Sequence, residues 1–259
     1  MRGPSRRAAS AAILFAAALC AREAAAREGR AAAHAAASRV RERAPREAVS
    51  HAPPESAPRD GAAAPNPEAL DSALRAYRCA RSRGEVVRPT LAVIDYTLPS
   101  SEKRLWLIDT ESGRVLQHEL VAHGRGSGDL FADRFSNEPE SYQSSLGLFV
   151  ARGVYTGEHG LSLRLDGLEP GINDQASSRA IVMHGAWYVS EAHVARWGRL
   201  GRSLGCPALA PEVTASVIER LRDGAAVFAY GPDPRWKQRS AYLRCDAPAP
   251  APRVASRQG

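Results

Sequence analysis

Long apolar runs are missing from nearly all of this 259-residue chain. Beyond the first two dozen residues no segment is apolar enough to cross a bilayer, so we expect no membrane span. The spacings that mark zinc sites, His-Glu-x-x-His and Cys-x-x-Cys, are also missing, which argues against a metal site. No nucleic-acid-binding motif and no internal repeat is visible. What remains is a globular composition, with 44% hydrophobic and 24% charged residues, and a length that suits one domain with tails.

The start of the chain has the pattern of a secretory signal peptide. A basic stretch precedes a short apolar run over residues 8–19, and small residues follow at 24–26. Because the run is too short to span a bilayer, we predict a signal peptide over residues 1–26 and a periplasmic or secreted protein. Cys20 leaves lipidation open as an alternative, although Leu19 stands where a small residue is expected.

Cysteine is scarce, and its count is informative. Removal of the signal peptide would leave Cys79, Cys206 and Cys245. An exported protein lies in an oxidising compartment, where an odd number of cysteines indicates one free thiol. Cys79 and Cys245 flank the middle of the chain and are the disulfide candidate, which leaves Cys206 free. Three buried, reduced thiols are the alternative.

The chain carries an excess of positive charge, with a formal net charge of +7 and a pI near 9.6. Exported basic proteins favour anionic surfaces such as wall polymers and lipid headgroups. The positive charge is explained equally well by a general excess of arginine that serves no binding role. Export argues against nucleic acid as a partner, so we expect none. We also expect the protein to be a monomer.

Composition divides the chain into a folded part and two tails. Residues 27–66 are rich in Ala, Arg, Glu and Pro and predict a disordered linker. Ala-Pro repeats predict a disordered tail over residues 246–259. The predicted domain therefore covers residues 67–245.

Short strands and a few helices are predicted within that domain. Asn66 and Pro67 are typical of a helix start, and apolar spacing carries the helix to about Arg81. Further helical patterns cover Glu191–Trp197 and Pro211–Leu221. Runs of β-branched and aromatic residues predict strands at Thr90–Tyr96, Arg104–Asp109, Val115–Ala122, Ser145–Ala151, Leu161–Leu165, Ala180–His184 and Ala225–Tyr230. We therefore predict a mainly β domain, a sandwich or barrel-like pair of sheets.

Late in the chain, one segment has residues that suit acyl transfer. A predicted strand ends at His184 and Gly185, and a turn then presents Cys206 between Gly205 and Pro207. A thiolate attacks carbonyl carbons, and a nearby imidazole supports the thiolate and later protonates the leaving amine. The Gly185 carbonyl is the expected acceptor for the second ring nitrogen, and the N–H groups of Gly205 and Cys206 are the expected oxyanion hole. A buried thiol and a hydrogen-bonded core histidine are the alternative.

Four short motifs follow one another in a recognisable order. Val121–Arg125 contains His123-Gly124, and Ser145–Phe149 contains Gly-x-Phe on a predicted strand. His184-Gly185 and then Ser203-Leu204-Gly205-Cys206 complete the set. In this order the motifs resemble the catalytic domain of the L,D-transpeptidase (YkuD-like) family, in particular its murein L,D-transpeptidase subgroup. The likeness runs from about residue 92 to residue 230.

The resemblance implies chemistry on peptidoglycan stem peptides. Cys206 would attack the L,D-peptide bond after the third stem residue, and the terminal D-alanine would leave. An amine would then take the acyl group to form a 3-3 cross-link, or water would take it in an L,D-carboxypeptidase reaction. The resemblance implies no metal and no organic cofactor.

Two positions depart from the family's pattern. Leu204 stands where most members have His, and Ala208 stands where most have Arg. We expect Arg199 or Arg202 to replace that arginine near the site or the substrate carboxylate. These departures motivate a second hypothesis, a non-catalytic wall-binding module on the same scaffold.

Other candidates are less specific. Residues 201–205 match the Gly-x-Ser-x-Gly pattern of serine hydrolases, but every histidine precedes Ser203, against the order in that fold. Ser203 is expected instead to hydrogen-bond its loop or the substrate. His123 and Gly124 lie in a glycine-rich loop and are candidates for lining the substrate site, with a surface or core histidine as the alternative for His123. Core packing is expected for three aromatic residues, with stacking on sugar or stem peptide as the alternative: Trp187, Tyr188 and Trp197.

Overall fold

The computed structural model describes residues 64–245. The predicted signal peptide, most of the predicted linker, Cys20 and the predicted tail lie outside these residues and stay predictions. Within this part, no helix is both long enough and apolar enough to span a bilayer. The elements in chain order are α1 (Pro67–Ser82), β1 (Thr90–Asp95), β2 (Leu105–Asp109), β3 (Val115–Glu119), β4 (Val121–Ala122), β5 (Gly147–Gly157), β6 (Gly160–Gly167), β7 (Val182–Gly185), α2 (Glu191–Trp197), β8 (Ala208–Leu209), α3 (Pro211–Leu221), β9 (Ala226–Tyr230) and α4 (Pro234–Arg239).

The strands form one mixed sheet in the order β3-β2-β1-β9-β5-β6-β7-β8-β4. β1 is parallel to β9 and β7 is parallel to β8, whereas the other neighbours are antiparallel. The two edge strands, β3 and β4, follow each other in the chain with only Leu120 between them. The two edges therefore meet, and the sheet is nearly closed. The predicted mainly β, barrel-like fold with mixed strands and few short helices is confirmed, with one continuous sheet in place of a pair.

A buried arginine accompanies the break in the strand that was predicted over Val115–Ala122. The backbone N–H of Arg104 donates to the carbonyl of Glu119, the last residue of β3. The Arg104 guanidinium then donates from Nε and Nη2 to the carbonyl of Val121, at 3.1 and 3.0 Å. These bonds give the carbonyl of buried Val121 a side-chain donor at the point where the chain changes edge. At Leu120 the chain thus passes from β3, at one edge of the sheet, to β4, at the other edge.

Small side chains let helix α1 approach the sheet closely. The helix begins as predicted, with the Asn66 side chain accepting the N–H of Glu68 and Pro67 in the first turn. Its buried face is mainly alanine at helical spacing. The helix contacts β1 and β9, which are buried along their whole length, as expected of strands covered on both faces.

A disulfide joins Cys79 of α1 to Cys245, with a sequence separation of 166 residues. This is the predicted pairing, and it ties the first described helix to the last described residue. Cys206 is the free cysteine among residues 64–245.

Candidate active site

Two neighbouring parallel strands position Cys206 and His184. His184 of β7 is the register partner of Ala208 of β8, two residues after the cysteine. The chain before β8 runs beside β7, and the Sγ of Cys206 accepts a hydrogen bond from the N–H of Val182 at 3.4 Å. Val182 and His184 share one face of β7, because strand residues two apart point the same way. The thiol and the imidazole thus lie on adjacent chain segments, two residue steps out of register, and no direct hydrogen bond joins them among the described residues.

The ring of His184 is buried, and its orientation is set by its own backbone. Its Nδ1 lies 2.9 Å from the carbonyl oxygen of Gly185, the acceptor expected from the sequence. Because a carbonyl only accepts, Nδ1 carries the proton and Nε2 keeps a free lone pair. His159, between β5 and β6, stacks on the ring with centroids 4.4 Å apart. Burial lowers the pKa of His184, the Gly185 carbonyl opposes this, and His159 lowers the pKa further.

The thiol of Cys206 is partly exposed and neutral at rest. Its Sγ lies 3.7 Å from the carbonyl oxygen of Ala180, to which the thiol donates. Burial raises the pKa of the thiol, and the Val182 N–H, the charge of Arg179 and its own backbone N–H oppose this. Because burial is the largest effect, the resting pair is a neutral thiol and a neutral imidazole.

The turn before Cys206 is braced by Ser203. The Ser203 hydroxyl donates to the Cys206 carbonyl at 2.6 Å and accepts the Gly205 N–H at 3.1 Å. This fits the predicted role of Ser203 in its loop. It also occupies the Gly205 N–H, one of the two expected oxyanion donors, and leaves the Cys206 N–H as the candidate. The Leu204 side chain is exposed to solvent.

Glycine is required at two closely packed positions of the site. Gly205 has φ +129°, and a Cβ there would lie 2.9 Å from Ile181 Cδ1 and 3.0 Å from the Gln143 carbonyl oxygen. A Cβ on Gly124 would lie 2.8 Å from the Gly205 Cα. Gly124 also forms an isolated parallel bridge with Ser203. The early motif and the cysteine motif therefore touch through their backbones, and Gly124 acts by allowing this approach.

The two arginines expected to replace the family's arginine are ion-paired. Arg202 Nη1 lies 2.7 Å from an Asp129 carboxylate oxygen, and Arg199 Nε lies 3.3 Å from the same oxygen. Arg202 also donates to the Gly128 carbonyl at 3.0 Å. These contacts fit bracing of the glycine-rich loop better than binding of a substrate carboxylate.

His123, a candidate for lining the substrate site with a surface or core histidine as the alternative, is fully buried. Its Nδ1 lies 2.7 Å from Arg104 Nη2, and its Nε2 lies 3.4 Å from the Gly128 carbonyl oxygen. Both ring nitrogens therefore have protein partners. Burial, then the Arg104 charge, lower the pKa of His123 to about 4. This environment fits a structural residue that holds the glycine-rich loop on the barrel.

Arg179 is a residue that the sequence reasoning missed. It lies in the turn before β7, and Nη2 would be 3.4 Å from a Cβ on Gly205. Its charge lowers the pKa of the Cys206 thiol. An arginine three residues before a strand has no distinctive sequence signal, so only the tertiary structure identifies it.

The aromatic residues after His184 are more exposed than expected. Trp187 and Trp197 are 77% and 60% exposed, so the prediction of core packing is wrong for both. They form a ring series with His193, at centroid distances of 5.8 and 6.4 Å. Tyr188 is half-buried, and burial followed by the charge of Cys206 raises its pKa to about 12.

Among residues 64–245, no group of three or more His, Cys, Asp or Glu side chains is arranged to hold a metal ion.

Comparisons with known proteins place these residues in a family. A family model described as the L,D-transpeptidase catalytic domain matches residues 62–230. A search of curated proteins finds no match. Among solved structures, the chain is 15% identical to an L,D-transpeptidase from Mycobacterium smegmatis, covering 55% of this chain and 58% of that one with a TM-score of 0.35. An L,D-transpeptidase from Stackebrandtia nassauensis is 18% identical, with coverages of 64% and 67% and a TM-score of 0.33.

The chain spans 58% of the length of the mycobacterial protein. The family match covers more than half of this chain and includes every strand of the sheet, together with His184 and Cys206. The chain therefore belongs to the L,D-transpeptidase catalytic domain family.

Proposed function

We propose that this protein is a cysteine acyltransferase that acts on peptidoglycan stem peptides outside the cytoplasm. The observation that carries the proposal is that the free thiol of Cys206 accepts the Val182 N–H of β7, the same strand that presents His184, whose Nδ1 donates to the Gly185 carbonyl. This arrangement leaves Nε2 of His184 unprotonated and available as a base. Family membership supports peptidoglycan as the substrate, and the Cys79–Cys245 disulfide supports an oxidising compartment.

Acylation begins from the neutral pair. The Sγ proton of Cys206 passes to Nε2 of His184 while the sulfur attacks the carbonyl carbon of the L,D-peptide bond. The N–H of Cys206 donates to the developing oxyanion. The C–N bond then breaks, and the proton on His184 passes to the leaving amine, which departs as D-alanine. The product is a cysteinyl thioester of the shortened stem peptide.

Deacylation reverses the proton path. An acceptor amine, or water, loses a proton to Nε2 of His184 and attacks the thioester carbonyl. The C–S bond breaks, and the sulfur recovers its proton from the imidazolium. An amine acceptor from a neighbouring stem gives a 3-3 cross-link, and water gives an L,D-carboxypeptidase product.

The experiment is intact-mass analysis of the protein after incubation with a purified tetrapeptide muropeptide. We expect a thioester adduct, and products that have lost one D-alanine or have joined as a dimer. Cys206→Ala should give no adduct and keep the fold. His184→Asn should acylate at least 100-fold more slowly, whereas His193→Asn, which removes a histidine from α2, should acylate normally. Unchanged turnover in Cys206→Ala, or normal acylation in His184→Asn, would end the proposal.

A wall-binding module without catalysis is the second candidate, and exposed Leu204 in the family's histidine position favours it. A carbapenem separates the two, because an active-site thiol should be acylated by it and a binding relic should not. Binding of the wild-type protein to purified sacculi without adduct or product would support this second candidate.

A further inference from the structure

The structure has a half-buried guanidinium against Gly205, the residue before the proposed nucleophile, and the mechanism above does not use it. Arg179 lies in the turn that leads into β7, three residues before Val182. We propose that Arg179 is a positioning residue that sets the reactivity of Cys206, by fixing the nucleophile turn and by placing an unpaired positive charge against the Gly205 turn that carries the sulfur. This inference deepens the proposed function, since it concerns the same thiol.

The Arg179 guanidinium is held rigidly by neutral acceptors. Nη1 donates to the Ser136 carbonyl at 2.8 Å and to the Ser145 hydroxyl at 2.6 Å. Nη2 donates to the Gln143 carbonyl at 2.6 Å and to the Ser141 hydroxyl at 3.2 Å. Four fixed bonds leave little freedom to the planar guanidinium. The side chain is therefore poorly placed to turn towards the carboxylate of a substrate. Its charge stays fixed at the turn that contains Gly205.

The positive charge of Arg179 is not cancelled by a salt bridge. None of the ion pairs within 4.0 Å among the described residues includes Arg179, whereas Arg199 and Arg202 share Asp129. Two negative charges raise the pKa of Arg179. The charge of Cys206 has the larger effect, and that of Glu138, which lies beyond that distance, has the smaller. An unpaired cation in a partly desolvated site acts more strongly on a neighbouring anion than a paired one does.

The guanidinium also packs against the backbone that presents the sulfur. A Cβ on Gly205 would lie 3.4 Å from Nη2 and 3.0 Å from the carbonyl oxygen of Gln143, to which Nη2 donates. Arg179 thus forms one wall of the Gly205 turn. Its charge favours the thiolate of Cys206, in the same direction as the N–H of Val182 and against burial.

The test measures alkylation of Cys206 by iodoacetamide as a function of pH in the full chain, with Cys79–Cys245 oxidised. No stem peptide is involved, so the result does not depend on the acyl substrate. In Arg179→Gln we expect the alkylation profile to move to higher pH and the rate at pH 7 to fall roughly tenfold. Arg179→Lys keeps a positive charge and should recover most of the wild-type profile.

Arg202→Gln is the matched control, because it removes another arginine that braces the same region but is paired with Asp129. Its alkylation profile should follow wild type. A wild-type profile in Arg179→Gln, or equal displacement in Arg179→Lys and Arg179→Gln, would overturn the inference. If Arg179→Gln does not fold, the neutral variant Arg179→Met takes its place beside Arg179→Lys, and a wild-type profile in Arg179→Met would likewise overturn the inference.

The two proposals fail separately. If wild-type protein gives no thioester with muropeptide but Arg179→Gln shifts the alkylation profile, the proposed function fails and the inference about Arg179 stands. If acylation occurs but the alkylation profile is unmoved in Arg179→Gln, the inference fails alone.

Discussion

Acid should destabilise this domain through one buried imidazole, that of His123. The ring accepts a hydrogen bond from Arg104 at Nδ1 and faces the Gly128 carbonyl at Nε2. A second ring proton would have to be placed on Nδ1, where it would oppose a guanidinium N–H at 2.7 Å. Protonation therefore requires loss of the Arg104 bond, and that bond is buried.

The size of the effect follows from the pKa of His123. It is about 4 in the folded protein against an ordinary value of 6.5. Between these two pKa values the unfolded chain binds more protons than the folded protein does, so the free energy of unfolding rises with pH. The stability that neutral His123 contributes is lost as the pH falls below 6.5. Linkage gives a loss of about 2 kcal/mol on going from pH 7 to pH 5.

Urea unfolding followed by tryptophan fluorescence at pH 7 and pH 5 measures this loss. In His123→Asn the side-chain carbonyl can still accept from Arg104, but the residue no longer titrates. This variant should be less stable than wild type at pH 7, because the smaller side chain leaves a cavity. Its additional loss at pH 5 should be smaller than that of wild type by about 2 kcal/mol. Equal losses in the two proteins would refute the assignment of a neutral, structural imidazole.

Two further predictions concern the disulfide and the stacked histidine. Replacing both Cys79 and Cys245 by alanine opens a loop of 166 residues and should lower the free energy of unfolding by up to about 5 kcal/mol in urea titrations; a loss under about 1 kcal/mol would contradict this. His159→Ala removes a neighbouring charge that lowers the pKa of His184, so the acidic limb of the acylation profile should move to higher pH. His118→Ala should leave that limb in place, and an unmoved limb in His159→Ala would reject the role of the stack.

The strands were predictable where local pattern and burial agree. β1 and β9 appear as unbroken apolar runs in the sequence and are buried along their length. Val115–Ala122 looks like one strand, because its pattern carries no sign of the break at Leu120. At that break Arg104 donates to the Val121 carbonyl, a contact between segments that no local pattern encodes. β8 has only two residues. It is a strand because it pairs with β4 and β7, not because its residues have a high strand propensity.

The local surroundings of the two proposed reacting residues could be predicted because their motifs are short and local. His184 is followed by the glycine whose carbonyl orients it, and Cys206 follows the glycine that its turn requires. The residues proposed to tune them could not be predicted, because each comes from another part of the chain. Arg179 reaches the turn from before β7, and His159 reaches His184 across the β6–β7 pairing.

A neutral resting pair also suits a thiol that is proposed to work in an oxidising compartment. Oxidants react with thiolate rather than thiol. Burial raises the pKa of Cys206 and lowers that of His184, so little thiolate exists until a carbonyl is close enough for attack and proton transfer to occur together. Arg179 works against this protection, since its charge favours the thiolate. On the two proposals above, the balance between burial and that one cation sets both how fast the sulfur is acylated and how well it resists oxidation.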